Sequence, residues 1–394
     1  MIILLYPVNV ANYDDVHRIC SRIHTDPRAF AYLAPKSNIL HFFAENVDYR
    51  AAAFLKQELL SRGGDVIVTK HVIDGKTDTS DILIMGTPTQ IRNLMQKLHA
   101  MDCWGLKELR AELTAAFEGL KVREWVMTSP AGHTITLNDN TRLMAIMNLT
   151  PDSFHAPSRI NDNILQTAEK FLSEGAYILD VGAESTRPGA VAVSESEESA
   201  RLIPALKELR REFPDAIISV DTYKPGVARI AAGEGADIIN DVSGFTFGEG
   251  MPEVVAELNI PYVLSHIQGT PSTMAKSEPY DNIITDIAEY FSQKLSALDA
   301  AGVKRENIII DPGLGFGKNE DDNFAVLKNI ESLKIFARPV MLGHSRKRFT
   351  GGSLAGTLAV SAVMAGRVSL LRVHDVRENA EALSVAVSVM RSGT

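Results

Sequence analysis

The sequence predicts a (β/α)8 barrel preceded by a small α/β domain. Three observations carry this. Eight short apolar runs follow one another in the last two thirds of the chain, each ending in polar residues. Amphipathic stretches rich in Ala, Leu and Glu lie between most of them, such as 164–174, 200–212 and 281–300. Continuous apolar runs alternating with helices read as buried parallel strands. Finally, 394 residues exceed one ordinary core, which favours two domains.

The first domain is expected over 1–124. Residues 2–8 read as a strand and 14–23 as a helix. A strand over 39–44 leads into a helix over 49–61, stopped by Gly63-Gly64. Short strands over 65–70 and 81–85 and a helix over 88–100 complete a compact α/β unit whose signals stop near Lys121. No recognisable chemistry lies in it.

The second domain is expected over 125–394. Residues 134–143 alternate around an Asn- and Asp-rich turn and read as a hairpin. The apolar runs are 143–147, 176–181, 216–220, 236–239, 262–264, 308–310, 340–342 and 369–371. Eight strand–helix units in about 270 residues match the count and length of a (β/α)8 barrel. Asn148, Glu184, Asp221, Asn240, His266, Asp311, Ser345 and Arg372 then mark the carboxyl rim, where such barrels keep their sites. A doubly wound open sheet would need a Gly-rich fingerprint after its first strand, and Asn148-Leu149-Thr150-Pro151-Asp152 stands there instead.

Composition narrows the function. A net charge of −9 argues against nucleic acid as the main partner, so any anionic ligand is held by a few local cations. The only cysteines, Cys20 and Cys103, lie far apart and without metal-ligand spacing, against a disulfide framework or a zinc site. The first residues lack a basic segment and form too short an apolar run for a signal or membrane span, so a cytoplasmic protein is expected.

Several rim motifs point to one ligand. Arg372 and His374 alternate along a strand and so share a side. Arg forks onto phosphate oxygens and His374 can donate to the same group, which favours anion binding over a solvated pair with Asp375. Ser345-Arg346-Lys347 would open the helix after the seventh strand and offer its amides to a carboxylate. Asp221, Asn240, Asp311 and Lys347 at one mouth suit a heterocycle with several N–H groups and a carbonyl. Gly313-Leu314-Gly315-Phe316-Gly317-Lys318 fails the P-loop pattern, because Pro312 replaces its first Gly and Asn319 its hydroxyl residue. Its glycines instead let backbone and a flat ligand approach closely. The loops Asn148 to Phe154 and Glu184 to Ala190 are long, polar rim loops of the kind that serve as lids.

Together these segments resemble dihydropteroate synthases of the pterin-binding barrel family. The resemblance rests on Asn148 to Phe154, Gly182 to Gly189, Ser219 to Thr222, Ile239 to Gly244, Asp311 to Lys318, Ser345 to Lys347 and Arg372 to Asp375. The first 120 or so residues resemble an extra N-terminal domain of some bacterial members.

This resemblance implies condensation of 6-hydroxymethyl-7,8-dihydropterin diphosphate with 4-aminobenzoate, releasing diphosphate. It implies that Asp221, Asn240, Asp311 and Lys347 bond the pterin while Phe316 and the Arg372 guanidinium flank its ring. Asn148 would help bind Mg²⁺ on the diphosphate, and Arg372 and His374 would hold its oxygens. Ser345 would receive the benzoate carboxylate, with Phe154, Thr186, Arg187 and Pro188 closing over it. Arg372, His374 and Lys347 are the expected catalytic side chains. Three departures from the family pattern stand out. His155-Ala156-Pro157-Ser158 replaces the usual Ser-Asp-Gly-Gly, His344 replaces a hydrophobic residue, and Ser265 to Gly269 replaces a more Met-rich strand end. Two other functions share the pocket: a pterin-dependent methyltransferase partnered with a corrinoid protein, and a non-catalytic pterin-binding protein. Residues 356–366, small and apolar nearly all round, suit a helix packed on both barrel and partner, so a homodimer is expected.

Overall fold

The computed structural model describes residues 5, 8, 10, 13–149, 157–184, 193–269 and 279–392. The chain divides into two compact units, Met1–Glu118 with Arg391–Thr394, and Gly119–Met390. The division falls six residues before the one read from the sequence, because a helix over Leu106–Gly119 closes the first unit. That helix was absent from the sequence reading, although Leu106, Leu109, Leu113 and Phe117 carry its period.

The first unit is a three-stranded antiparallel sheet in the order β1 (Leu40–Asp48), β3 (Thr79–Gly86), β2 (Asp65–Ile67). Ile82 and Ile84 alternate inward along β3 and meet Leu55 and Leu59 of helix Tyr49–Leu60 and Ile91 and Leu94 of helix Pro88–Leu98. Thr87 and Gln90 form a reciprocal capping box on the last of these helices. Helix Tyr13–Ile23 lies where a helix was expected; the expected strand over 2–8 falls mostly outside the described residues.

The second unit is the barrel. Its strands are β6 (Arg142–Asn148), β7 (Ile178–Gly182), β8 (Ile217–Asp221), β9 (Ile238–Asp241), β10 (Tyr262–Ser265), β11 (Ile308–Asp311), β12 (Met341–Leu342) and β13 (Leu370–Val373). They pair in parallel in the order β11-β10-β9-β8-β7-β6-β13-β12, and an Ile310–Val340 bridge closes the ring.

One residue from each strand forms an apolar floor inside the barrel: Met144, Ile178, Ile217, Ile238, Val263, Ile309, Met341 and Leu370. The intervening residues, such as Leu143, Ala145 and Leu264, pack outward in the layer shared with the helices. Met127, Ile135 and Leu137 of the hairpin β4 (Glu124–Thr128)–β5 (Thr134–Asn138) seal the floor from below. The hairpin therefore turns at 129–133, not at the Asn-rich 138–141 chosen from the sequence, which leads into β6 instead. Fully buried Asp237 ties that turn to the barrel by accepting from Ser129 Oγ, Ile218 N and Arg210 and pairing with the His133 ring.

Candidate active site

Alternation along the barrel strands carries the site. Two residues beyond the floor, the same inward faces bear Asp180, Ser219, Asn240, Ser265, Asp311, Gly343 and Arg372. A further step gives Asn148, Asp221, Ser345 and His374 at the rim. Strand register joins these levels: Asp180 lies opposite Ser219, Asp221 opposite Asn240, and Ser265 opposite Asp311.

Arg372 is the hub. Its Nε donates to Asp180 Oδ2 at 2.5 Å and an Nη to Asp221 Oδ2 at 2.6 Å. Asn240 Nδ2 donates to the same Asp180 oxygen at 3.1 Å. Burial opposes the guanidinium charge, but the two carboxylates outweigh it and hold Arg372 more firmly protonated than usual. Burial pushes Asp221 above the ordinary carboxylate range, aided by Asp180 and opposed by Arg372. The sequence reading missed Asp180; its signal was a single carboxylate inside an otherwise apolar strand. Asp375, once an alternative partner for Arg372, instead takes Arg346.

The second cluster gathers at the ends of β11 and β12, near enough for the Arg372 charge to act on both Asp311 and Lys347. Asp311 is buried, which raises its pKa against the pull of Lys347, and its Oδ1 accepts from Gly313 N at 2.9 Å. Lys347 Nζ donates to the Leu314 carbonyl and sits 4.2 Å from the centre of the Phe316 ring. Burial, with Arg372 adding to it, brings Lys347 down to about 8. Lys318 Nζ contacts His266 Nδ1 at 2.7 Å and donates to the carbonyls of Gly313 and Phe316, stapling the glycine loop. Burial brings Lys318 down to about 7, and burial with the Lys318 charge brings His266 down to about 2. Gly313 is obligatory: at φ +64° a Cβ would lie 1.9 Å from the His266 carbonyl oxygen.

Ser345 Oγ lies 3.0 Å from His374 Nδ1 and accepts from His374 N at 3.2 Å. Ser345-Arg346-Lys347 do not open the expected α-helix directly. Arg346 turns at φ +55°, Lys347 stands at the N-cap of a single 3-10 turn over Arg348–Thr350, and the α-helix begins only at Leu354 under a Ser353 cap. Gly351 and Gly352, both at positive φ, separate the two. His344 is fully buried and its Nε2 donates to Ser361 Oγ at 2.8 Å, since the Ser361 hydroxyl itself donates to Asn379 Oδ1; burial lowers the His344 pKa to about 4.

Asn148 is exposed at the end of β6, opposite Gly182, which itself lies opposite Asp221. Phe154, Thr186, Arg187 and Pro188 lie outside the described residues. Next to them, Glu184 accepts from Val193 N, Tyr223 OH and Lys224 Nζ, so it joins residues on either side of 185–192. Lys224 also reaches Glu198, and the two acids outweigh burial to keep it charged.

The structure is thus a closed parallel barrel that gathers buried carboxylates, an amide and cations at its carboxyl mouth. Residues 144–387 match the pterin binding enzyme family, and the chain belongs to it. Its relatives are more particular. It is 38% identical over 259 residues to the dihydropteroate synthase of Escherichia coli, covering 63% of this chain and 91% of that protein. The solved structure of Xanthomonas albilineans dihydropteroate synthase in complex with 7,8-dihydropteroate superposes with a TM-score of 0.58 at 33% identity. It covers 66% of this chain and 97% of that one. A probable bifunctional folylpolyglutamate synthase/dihydropteroate synthase of Haloferax volcanii is 33% identical over 393 residues. That match covers 95% of this chain, so it extends through most of the first unit, and only 46% of the relative. The chain thus spans less than half of that longer protein.

Proposed function

We propose that this protein condenses 6-hydroxymethyl-7,8-dihydropterin diphosphate with 4-aminobenzoate to give 7,8-dihydropteroate and diphosphate. The observation that carries the reading is the convergence of Asp180, Asp221, Asn240, Asp311, Lys347 and Arg372 inside one barrel mouth. Acceptors there match the amino and N–H edge of a pterin, and Lys347 beside Phe316 marks a slot with an aromatic wall.

The reaction breaks the C–O bond to diphosphate and forms a C–N bond to the aryl amine, which then loses a proton. The amine is neutral at pH 7, so no strong general base is required. The electron-rich ring shares the positive charge that develops as the bond breaks. The chain's part is positioning and charge: Arg372 and His374 face the departing group, and Lys347 and Asp311 hold the ring. Ser345, in its turn beside His374, is assigned to the benzoate carboxylate, and the family resemblance assigns Phe154, Thr186, Arg187 and Pro188 to the same substrate.

The reading implies Mg²⁺. Among the described residues no group of three or more His, Cys, Asp or Glu could hold a metal. Asn148, exposed at the rim, suits an ion that arrives on phosphate and keeps most of its waters. Such an ion would offset charge on the leaving diphosphate. The reading also carries a cytoplasmic location and a homodimer. Helix Leu354–Met364 leaves Val363 62% exposed, and helix Val376–Arg391 leaves Val385 and Val389 exposed, as a partner-facing surface would.

Diphosphate release with purified protein, Mg²⁺ and both substrates tests the proposal. Release that depends on 4-aminobenzoate is expected. Pterin binding without turnover would favour the non-catalytic reading, and binding that diphosphate does not strengthen would favour the methyltransferase.

A further inference from the structure

Strands β7 to β10 each place a polar side chain one step above the apolar floor: Asp180, Ser219, Asn240 and Ser265, all with 0% exposure. The direction follows from alternation, since Val263 belongs to the floor, Leu264 packs outward, and Ser265 returns inward. The bond from Asn240 Nδ2 to Asp180 Oδ2 fixes the amide so that its oxygen is the free acceptor. Asp180 Oδ1, Ser219 Oγ, Asn240 Oδ1 and Ser265 Oγ have no hydrogen-bond partner in the protein.

A buried polar atom left unpaired destabilises the fold, and native proteins hold few of them. Four on adjacent strands, in register with the site carboxylates, call for a partner outside the chain. Two of these atoms only accept, and two are hydroxyls that accept or donate. The complementary surface is therefore the edge of a ligand that carries N–H or amino hydrogens.

We propose that Ser219 and Ser265, beside Asp180 and the Asn240 already assigned to the pterin, are further specificity-determining groups that select the ring by its N–H and amino edge. This rests on the pterin reading above and deepens it. A site built to pair with N–H groups rejects a ring of the same shape lacking them, because its own buried acceptors then stay unpaired.

The test uses Ser265→Ala and Ser219→Ala in the full chain. Titration calorimetry with 6-hydroxymethyl-7,8-dihydropterin diphosphate and Mg²⁺ gives the Kd, and thermal melting of the free protein gives stability. Each variant is expected to bind about tenfold more weakly, ~1.4 kcal/mol, with KM for 4-aminobenzoate unchanged. Neither should melt below the parent, because the deleted hydroxyl had no partner to lose. Ser265→Cys, close in size but a weaker hydrogen bonder, should fall between parent and alanine. Affinity within twofold of the parent in both alanine variants overturns the proposal and assigns the tier to trapped water. A clearly lowered melting midpoint in both also counts against it, since the hydroxyls then serve the fold. Failure of the parent itself to bind the pterin sinks the functional reading instead, and the two failures are distinct.

Discussion

The two levels of the barrel interior are built from the same eight strands, only two residues apart, yet they differ in almost every physical respect. At the floor, all eight strands contribute an apolar side chain and a hairpin excludes water beneath them. One step higher, the inward positions carry carboxylates, hydroxyls, an amide and a guanidinium, and several polar atoms lack partners. The floor stabilises the fold by burying hydrocarbon. The upper tier costs stability, and under the proposed function it keeps its charges in place for the pterin. The contrast teaches that one strand pattern serves both purposes, and that only the distance along the strand separates them.

Removing the hub should break this contrast most severely. Arg372→Met is expected to lower diphosphate release by about 10²–10³-fold. It also leaves Asp180 and Asp221 facing each other in a buried site. A carboxyl whose folded pKa is raised holds its proton more tightly folded than unfolded, so its contribution is present at low pH and lost as pH rises through the folded value. Asp221 is already raised, and losing Arg372 raises it further. The stability gap between variant and parent should therefore widen from pH 5 to pH 8, as read by denaturant melts at each pH.

The floor should answer in the opposite sense. Ile309→Ala opens a cavity among fully packed neighbours and is expected to cost about 2–5 kcal/mol of stability. Ligand affinity, measured well below the melting point, should stay within about twofold of the parent because no pocket-facing group changes. A large loss of affinity would mean that the two levels are not separable.

Asp311→Asn sharpens the comparison from the upper side. Losing one charged acceptor should weaken pterin binding by about 10–100-fold, from the ~1.5–3 kcal/mol of a charge-assisted bond. Because burial already disfavours the Asp311 charge, the free protein should melt no lower than the parent. Loss of both affinity and stability would show that the carboxylate serves the fold.

The smallest effect concerns pH. Lys347 loses its proton near pH 8 in the free protein, so pterin diphosphate should bind several-fold more weakly as pH rises through that value. Lys347→Arg keeps its charge over the same range and should flatten the profile, whatever its affinity at pH 7. A parent profile flat to pH 9.5 would remove Lys347 from the binding step.

Most of the barrel was legible because its strands are continuous apolar runs that end abruptly in polar residues. Asn148, Asp221, Asn240 and Asp311 were found as such strand ends, and Arg372 and His374 by their spacing of two. Asp180 escaped because it lies within its run, and its partner Arg372 is 192 residues away. The helix expected from Ser345 is only a 3-10 turn over Arg348–Thr350, because Gly351 and Gly352 end it and delay the α-helix to Leu354. The hairpin was misread because Asn138, Asp139 and Asn140 do form a turn, but β5 pairs backward with Glu124–Thr128.

The sequence by itself determined the class of fold, the eight strands and most of the rim, because local alternation and chain punctuation are properties of neighbours along the chain. Only the tertiary structure decided that Arg372 is shared by Asp180 and Asp221, that Ser345 is tied to His374, and that four polar atoms in the inward tier of β7 to β10 stand unpaired. Those facts depend on strand register around a closed barrel. Register brings together residues far apart in sequence, and whether a polar atom has a partner is fixed only once every neighbour is in place.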